Sequence, residues 1–170
     1  TTTENVVWTA DIPGFGWSSP IVWDGTVYLT TVVSSETVET PLGGLYRGSE
    51  TWRASEAEHR WLVYAFDVES GAVKWEREVH RGSPPRGHHL KNTLASETPV
   101  TDGESVYAYF GNVGLFSLDT NGVVQWSLPI EATDNRLGWG TAASPVLYRD
   151  RLYIVNENDD QSYVSAISTE

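Results

Sequence analysis

The stretch TPVTDGESVYAYFGNVGLFSLDTNGVVQW, residues 98–126, decides the fold, because the chain repeats it. Thr98-Pro99 leads to an Asp102-Gly103 turn and then to Tyr107, eight residues after the proline. Upstream, SPIVWDGTVYLTTVV has Ser19-Pro20, Asp24-Gly25 and Tyr28, again eight residues after the proline. Downstream, SPVLYRDRLYIVNEN has Ser144-Pro145, Asp150 in the turn and Tyr153 at the same spacing. The second half recurs as well. VYAFDVESGAVKW (63–75) matches LFSLDTNGVVQW (115–126): an apolar pair, Asp, a short turn with Gly, an apolar pair, Trp. VSAISTE (164–170) begins a third copy, and NVVWTADIPG at the start carries Trp8 at the Trp position. Self-similarity at fixed spacing marks a repeat architecture, in which each unit buries its faces against its neighbours.

Within a unit the residues read as strands. Short β-branched and aromatic runs lie between Gly, Pro, Asp and Asn clusters, and almost nothing has helical periodicity. The expected strands are 18–23, 26–33, 61–67 and 72–79; then 96–101, 105–111, 113–118 and 123–128; then 142–148, 151–156 and 163–167. Asp24-Gly25, Asp102-Gly103, Ser70-Gly71 and Asn121-Gly122 supply turns, because glycine takes a positive φ without steric cost. SVYAYFG and LVYAF are apolar at successive positions, as strands buried on both faces are. The fold class is therefore all-β, with four-stranded antiparallel units stacked radially. One element breaks the rhythm: residues 34–60 separate two strands that the second unit joins at 111–113. This insertion reads either as a solvated loop or as a lid or partner contact. WRASEAEHR (52–60) within it has the composition of a short helix.

Composition bounds the function. A net charge of -12 disfavours nucleic acid and anionic membrane surfaces. Aromatics at 12% exclude a disordered chain. Without cysteine there is neither disulfide nor thiol chemistry, which suits an extracytoplasmic bacterial protein. Without methionine, residue 1 is not a native start, so the expectation is a removed leader or a piece of a longer chain. No apolar run is long enough to span a membrane as a helix.

The motifs AFDVESGAVKW and SLDTNGVVQW, with SSPIVWDGTVYL and ETPVTDGESVYAYF, resemble the pyrroloquinoline-quinone (PQQ)-like repeat family of β-propellers. The resemblance covers nearly the whole chain outside 34–60. It implies blades of four strands, about seven or eight in a closed ring, of which this chain holds between two and three. It implies that Trp8, Trp75 and Trp126 dock between blades, with Gly71 and Gly122 at the docking turns. Residues 1–9 then form the outer strand of a preceding blade, 10–80 a blade with the insertion, 88–130 a second blade, and 137–170 an incomplete third. The partners implied are the remaining blades of the same propeller, or further copies of the chain closing a ring.

Candidate sites follow from that layout. HHLKN, with His88, His89, Lys91 and Asn92, precedes an inner strand and so belongs at the axial mouth, where it suits an anionic or carbonyl ligand. The equivalent stretches GFGW (14–17) and LGWG (137–140) place Trp17 and Trp139 at the same mouth. A solvated loop for the histidines and rim packing for the tryptophans remain the alternatives. Gly14-Phe15-Gly16 lacks the strand–turn–helix context of a dinucleotide loop and reads as a tight bend. His59 and His80 read as surface residues. Asn156, Asn158 and Asp160 alternate as in a calcium loop, but Gln161 replaces its glycine and Ile167 its bidentate glutamate. That stretch reads as a polar hairpin tip, and no metal site is expected. No catalytic residue is assigned, and the chain itself suggests no cofactor. The family's dehydrogenases imply quinone and calcium; its other members imply scaffolds. The leading expectation is a periplasmic or secreted binding scaffold, whose protein partner adds a strand at a blade edge. Part of a PQQ-dependent alcohol or sugar dehydrogenase is the second reading. A carbohydrate-binding propeller using Trp17 and Trp139 is the third.

Overall fold

The computed structural model describes residues 4–41, 43–45 and 53–170. It contains three antiparallel sheets in chain order. The first is β1 (Ile21–Trp23), β2 (Thr26–Ser34), β3 (His59–Asp67) and β4 (Val73–Gly82). The second is β5 (Val100–Thr101), β6 (Ser105–Phe110), β7 (Gly114–Asp119) and β8 (Val124–Pro129). The third has β9 (Val146–Tyr148), β10 (Arg151–Asn156) and β11 (Tyr163–Ser168). Within each sheet the strands pair in sequence order, so every connection is a hairpin. The fold is a partial β-propeller with two four-stranded blades and one of three strands. Among the described residues no helix is long and apolar enough to cross a membrane.

The sequence repeat becomes a repeat of register. Tyr28 faces Ala65, Tyr107 faces Ser117 and Tyr153 faces Ala166. In the two complete blades the row continues to the outer strand, with Ala65 opposite Trp75 and Ser117 opposite Trp126. The small central residue lets the flanking rings approach. Tyr28 and Trp75 have ring centroids 5.9 Å apart, and Tyr107 and Trp126 have them 6.0 Å apart. A bulge follows at the same place in both, between Ala65 and Phe66 and between Ser117 and Leu118. Such a bulge re-aims the outer strand.

Alternation along the strands divides each blade between two interfaces. Trp61 and Val63 face the second blade, where they meet Ala108, Phe110, Phe116 and Leu118. Their neighbours Leu62, Tyr64 and Phe66 face the other way, onto Trp8 and Ala10. Tyr107, Tyr109 and Leu115 meet Leu152 and Ile154 of the third blade. Inner strands buried on both faces are what the apolar runs required. The far face of the third blade is uncovered: Val155 is 52% exposed and Val164 67%.

Three tryptophans make the same contact between successive units. The indole N–H of Trp8 donates to the Val68 carbonyl at 2.8 Å, that of Trp75 to Thr120 at 2.9 Å, and that of Trp126 to Thr169 at 3.0 Å. The rings lie against turn glycines. A Cβ on Gly71 would stand 2.5 Å from the Trp8 ring, and one on Gly122 would stand 2.7 Å from Trp75. Gly122 also has φ +79°. Gly122→Ala therefore combines left-handed strain with a steric clash, and we expect it to lower the unfolding free energy by at least about 1 kcal/mol. Urea denaturation checks this, and a neutral result would mean that the Trp75 ring can retreat without cost.

Several expectations need correction. The inner strands are shorter than 18–23, 96–101 and 142–148, because their leading halves bond to the neighbouring blade. Trp17 and Ser18 N–H groups donate to the Ala95 carbonyl at 3.0 and 3.2 Å. The Ser19 N–H donates to Thr98 Oγ1 at 3.0 Å, and the Thr98 N–H to Ser144 Oγ at 2.9 Å. The Ser/Thr before each proline thus links blade to blade around the axis. Of the outer strand expected at 1–9, residues 1–3 lie outside the described residues and 4–9 have no ladder partner among the described residues, although Trp8 docks. The expected helix at 52–60 does not form: Trp52 lies outside the described residues, 53–58 are irregular, and His59 and Arg60 begin β3.

Candidate functional site

The segments that precede the three inner strands meet at one end of the blades. The first, 14–17, lies directly on β2. Phe15 and Val32 exchange backbone hydrogen bonds at 2.9 and 3.0 Å. Gly14 and Gly16 make that approach feasible, since a Cβ on either would fall within 2.4 Å of a β2 carbonyl. The second segment, 87–95, is folded by Asn92. Its Oδ1 accepts from the Thr93 N–H at 2.8 Å and the Ser96 hydroxyl at 2.5 Å. Its Nδ2 donates to the Trp139 and Thr141 carbonyls at 2.8 and 3.1 Å, joining this segment to the third. Gly140 completes the joint, because a Cβ there would meet Asn92 and His88 at 2.9 Å.

A cavity of about 230 Å³ opens beside the second segment. Phe15, Trp17, Val32, Leu90 and Leu94 form its apolar walls, and Val38 and Pro41 of the insertion lie over it. Two imidazoles line it, His59 and His88. His59 opens β3 and is 7% exposed, so the surface placement expected for it is wrong: it lines the cavity with Val38, Glu39 and Pro41. Its Nδ1–H donates to the Ala57 carbonyl at 2.9 Å. The Nδ1–H of His88 donates to the His89 carbonyl at 3.0 Å. A carbonyl can only accept, so each ring holds a proton on Nδ1, and a neutral ring so held presents Nε2 as an acceptor. Burial, reinforced by the nearby His59 and His89, holds the His88 imidazole below its ordinary pKa and hence neutral. His80, also expected at the surface, packs edge-on against Trp61 at 5.0 Å, and burial lowers its pKa too.

The residues expected at the axial mouth thus divide. Trp17, His88 and Asn92 line the cavity. His89, Lys91 and Trp139 do not. Trp139, 56% exposed, stands edge-on to His89 with centroids 6.4 Å apart, and the Lys91 ammonium donates to the Gly44 carbonyl of the insertion. Trp17 and Trp139 therefore do not form two walls of one cavity.

A further group, Glu97, is absent from the expected site residues. It is 1% exposed and its Oε1 accepts from the Gly111 N–H at 3.2 Å, with the Thr141 hydroxyl as a second donor. Burial outweighs these donors and raises its pKa. Its equivalents in the other units are Ser18 and Ala143, so a large acid at a position otherwise held by small residues was the available signal. Glu97 does not serve calcium: it is turned onto Gly111 and Thr141, and no three His, Asp or Glu side chains converge among the described residues. At 156–160 Asn158 Oδ1 accepts from the Asp160 and Gln161 N–H groups at 2.9 and 2.8 Å and Asn156 Oδ1 accepts from Asn158 Nδ2 at 2.9 Å, while the buried Asn156 Nδ2 has no hydrogen-bond partner among the described residues.

A family model described as outer membrane protein assembly factor BamB matches residues 1–170. Among solved structures, BamB from Moraxella catarrhalis is similar at 13% identity and TM-score 0.51, over 95% of this chain and 36% of that one. A europium-containing methanol dehydrogenase is similar at 14% identity and TM-score 0.53, over 88% of this chain and 22% of that one. At such identities the likeness is one of fold, and the chain spans only a minor part of either protein. No curated protein matches the chain.

Proposed function

Because the chain belongs to the PQQ-like repeat family that includes outer membrane assembly factor BamB, we propose that it is part of a periplasmic or secreted bacterial scaffold propeller that binds and does no chemistry. One observation carries this reading: several polar groups at the axial end are engaged in joining blades. Asn92 ties the second segment to the third, Glu97 is held by Gly111 and Thr141, and the Ser/Thr before each proline links neighbouring inner strands. What remains open is a cavity with mainly apolar walls, which suits binding. The blade edges support a scaffold as well. The outer strand β4 carries Lys74, Glu76, Arg77, Glu78 and Arg81, charges that discourage strand addition. The outer strands β8 and β11 carry none, and a partner strand would add there.

The second reading, a quinone-dependent alcohol or sugar dehydrogenase, would draw its metal ligands from outside these residues. The test is to load the purified protein with PQQ and calcium and follow reduction of an artificial electron acceptor with ethanol or glucose. The scaffold reading expects no quinone-dependent reduction. Turnover would overturn it in favour of the dehydrogenase.

A further inference from the structure

The axial cavity is specific in what it offers a ligand. Its apolar walls include two aromatic rings, Phe15 and Trp17. Most of the neutral polar groups that line it are already satisfied internally. Asn92 makes four hydrogen bonds to protein, Thr93 Oγ1 pairs with Ser96 Oγ at 3.0 Å, and Ser34 Oγ accepts from the Glu36 N–H at 3.2 Å. The Nε2 atoms of His59 and His88 differ. Each ring is fixed through Nδ1 to a backbone carbonyl, which leaves Nε2 of the neutral ring an acceptor.

Charge excludes other ligand classes. The residues that line it include a carboxylate, Glu39, and neither lysine nor arginine. Arg53 and Arg86 line an adjoining cavity that shares Glu39, His59 and His88 with it, and Arg86 is paired to Asp134 at 2.8 Å. A sugar would bring more hydroxyls than two acceptors satisfy, and each unpaired one costs its desolvation. A metal ion would find no third histidine or acid converging, among the described residues.

Resting on the reading of this cavity as a binding site, we propose that it takes a small uncharged aromatic molecule bearing one or two O–H or N–H donors, a phenol or an indole, with the ring between Phe15, Trp17 and the leucines and the donor on His59 or His88. Such a ligand matches the volume of about 230 Å³ and pairs each of its own donors.

Isothermal titration of the purified protein with three probes tests this: p-cresol, toluene (the same body without the donor) and benzoate (an anion of similar size). The expected result is that p-cresol binds about tenfold more tightly than toluene, the worth of one good hydrogen bond, and that benzoate does not bind. His59→Phe and His88→Phe should bring p-cresol toward toluene, with loss in at least one of the two. If neither variant folds, the ratio of p-cresol to toluene on the unaltered protein still decides. Toluene or benzoate binding as well as p-cresol would overturn the ligand class and leave the binding cavity standing. If none of the three binds, the cavity is not a ligand site and the binding reading of the axial end falls with it.

Discussion

Trp75→Ala is expected to lower the unfolding free energy by about 3 kcal/mol, the lower end of the range for truncating a large aromatic in a core. The side chain is only half-buried, which sets the lower end, but it is tied at several points. Its ring packs on Tyr28 with centroids 5.9 Å apart and against Gly122, and its indole N–H donates to the Thr120 carbonyl at 2.9 Å. It also packs on the cluster that joins the first and second blades. Alanine would open space between two blades and leave the Thr120 carbonyl without its donor. Trp75→Phe separates the two effects. It keeps most of the ring and removes the N–H, and should cost about 1 kcal/mol, the net worth of a hydrogen bond. Urea titration of the three proteins gives both numbers. A loss below about 1 kcal/mol for Trp75→Ala, the size of an unexceptional substitution, would mean that Trp75 touches the next blade without holding it.

The same residues explain why the fold was legible in the sequence. A docking tryptophan needs a turn without a side chain in the next unit, so Trp75 implies Gly122 and Trp8 implies Gly71. A tyrosine eight residues after a proline fixes register, because side chains alternate strictly along a strand. Local chemistry and tertiary contact coincide at these positions. They part at the axial end. Inner-strand lengths were overestimated because Trp17, Ser18 and Thr98 donate across to the next blade, a contact that no periodicity encodes. The burial of His59 is not encoded in the irregular residues 53–58 before it, which carry little pattern. Lys91 is near His88 in the chain, and Trp139 stands at the equivalent place in the next unit. The structure turns Lys91 toward Gly44 and Trp139 toward His89, so neither relation becomes proximity in the cavity.

Glu97 carries the second large effect, and its sign is opposite to that of most carboxylates. Burial raises its pKa in the folded protein above the unfolded value. The folded state therefore holds this proton more tightly than the unfolded chain does, and its contribution to stability is fully present below the unfolded pKa and lost as pH rises through the folded pKa. Above that pH either a buried charge or an open structure must be tolerated, and both cost free energy. Glu97→Gln removes the titration and keeps an oxygen for the Gly111 N–H and the Thr141 hydroxyl. The variant should match the unaltered protein near pH 4 and exceed its stability at pH 8, with a flatter profile between. Glu97→Leu removes the charge as well but strands the two donors, so it should cost about 1–3 kcal/mol at pH 4. Thermal or urea denaturation of the three proteins across this range measures each difference. If Glu97→Gln instead loses stability as pH rises, relative to the unaltered protein, Glu97 is ionised in the fold, and the Gly111 N–H and Thr141 hydroxyl compensate its charge in place. That outcome would put a buried anion between Gly111 and Thr141, where the second blade meets the third.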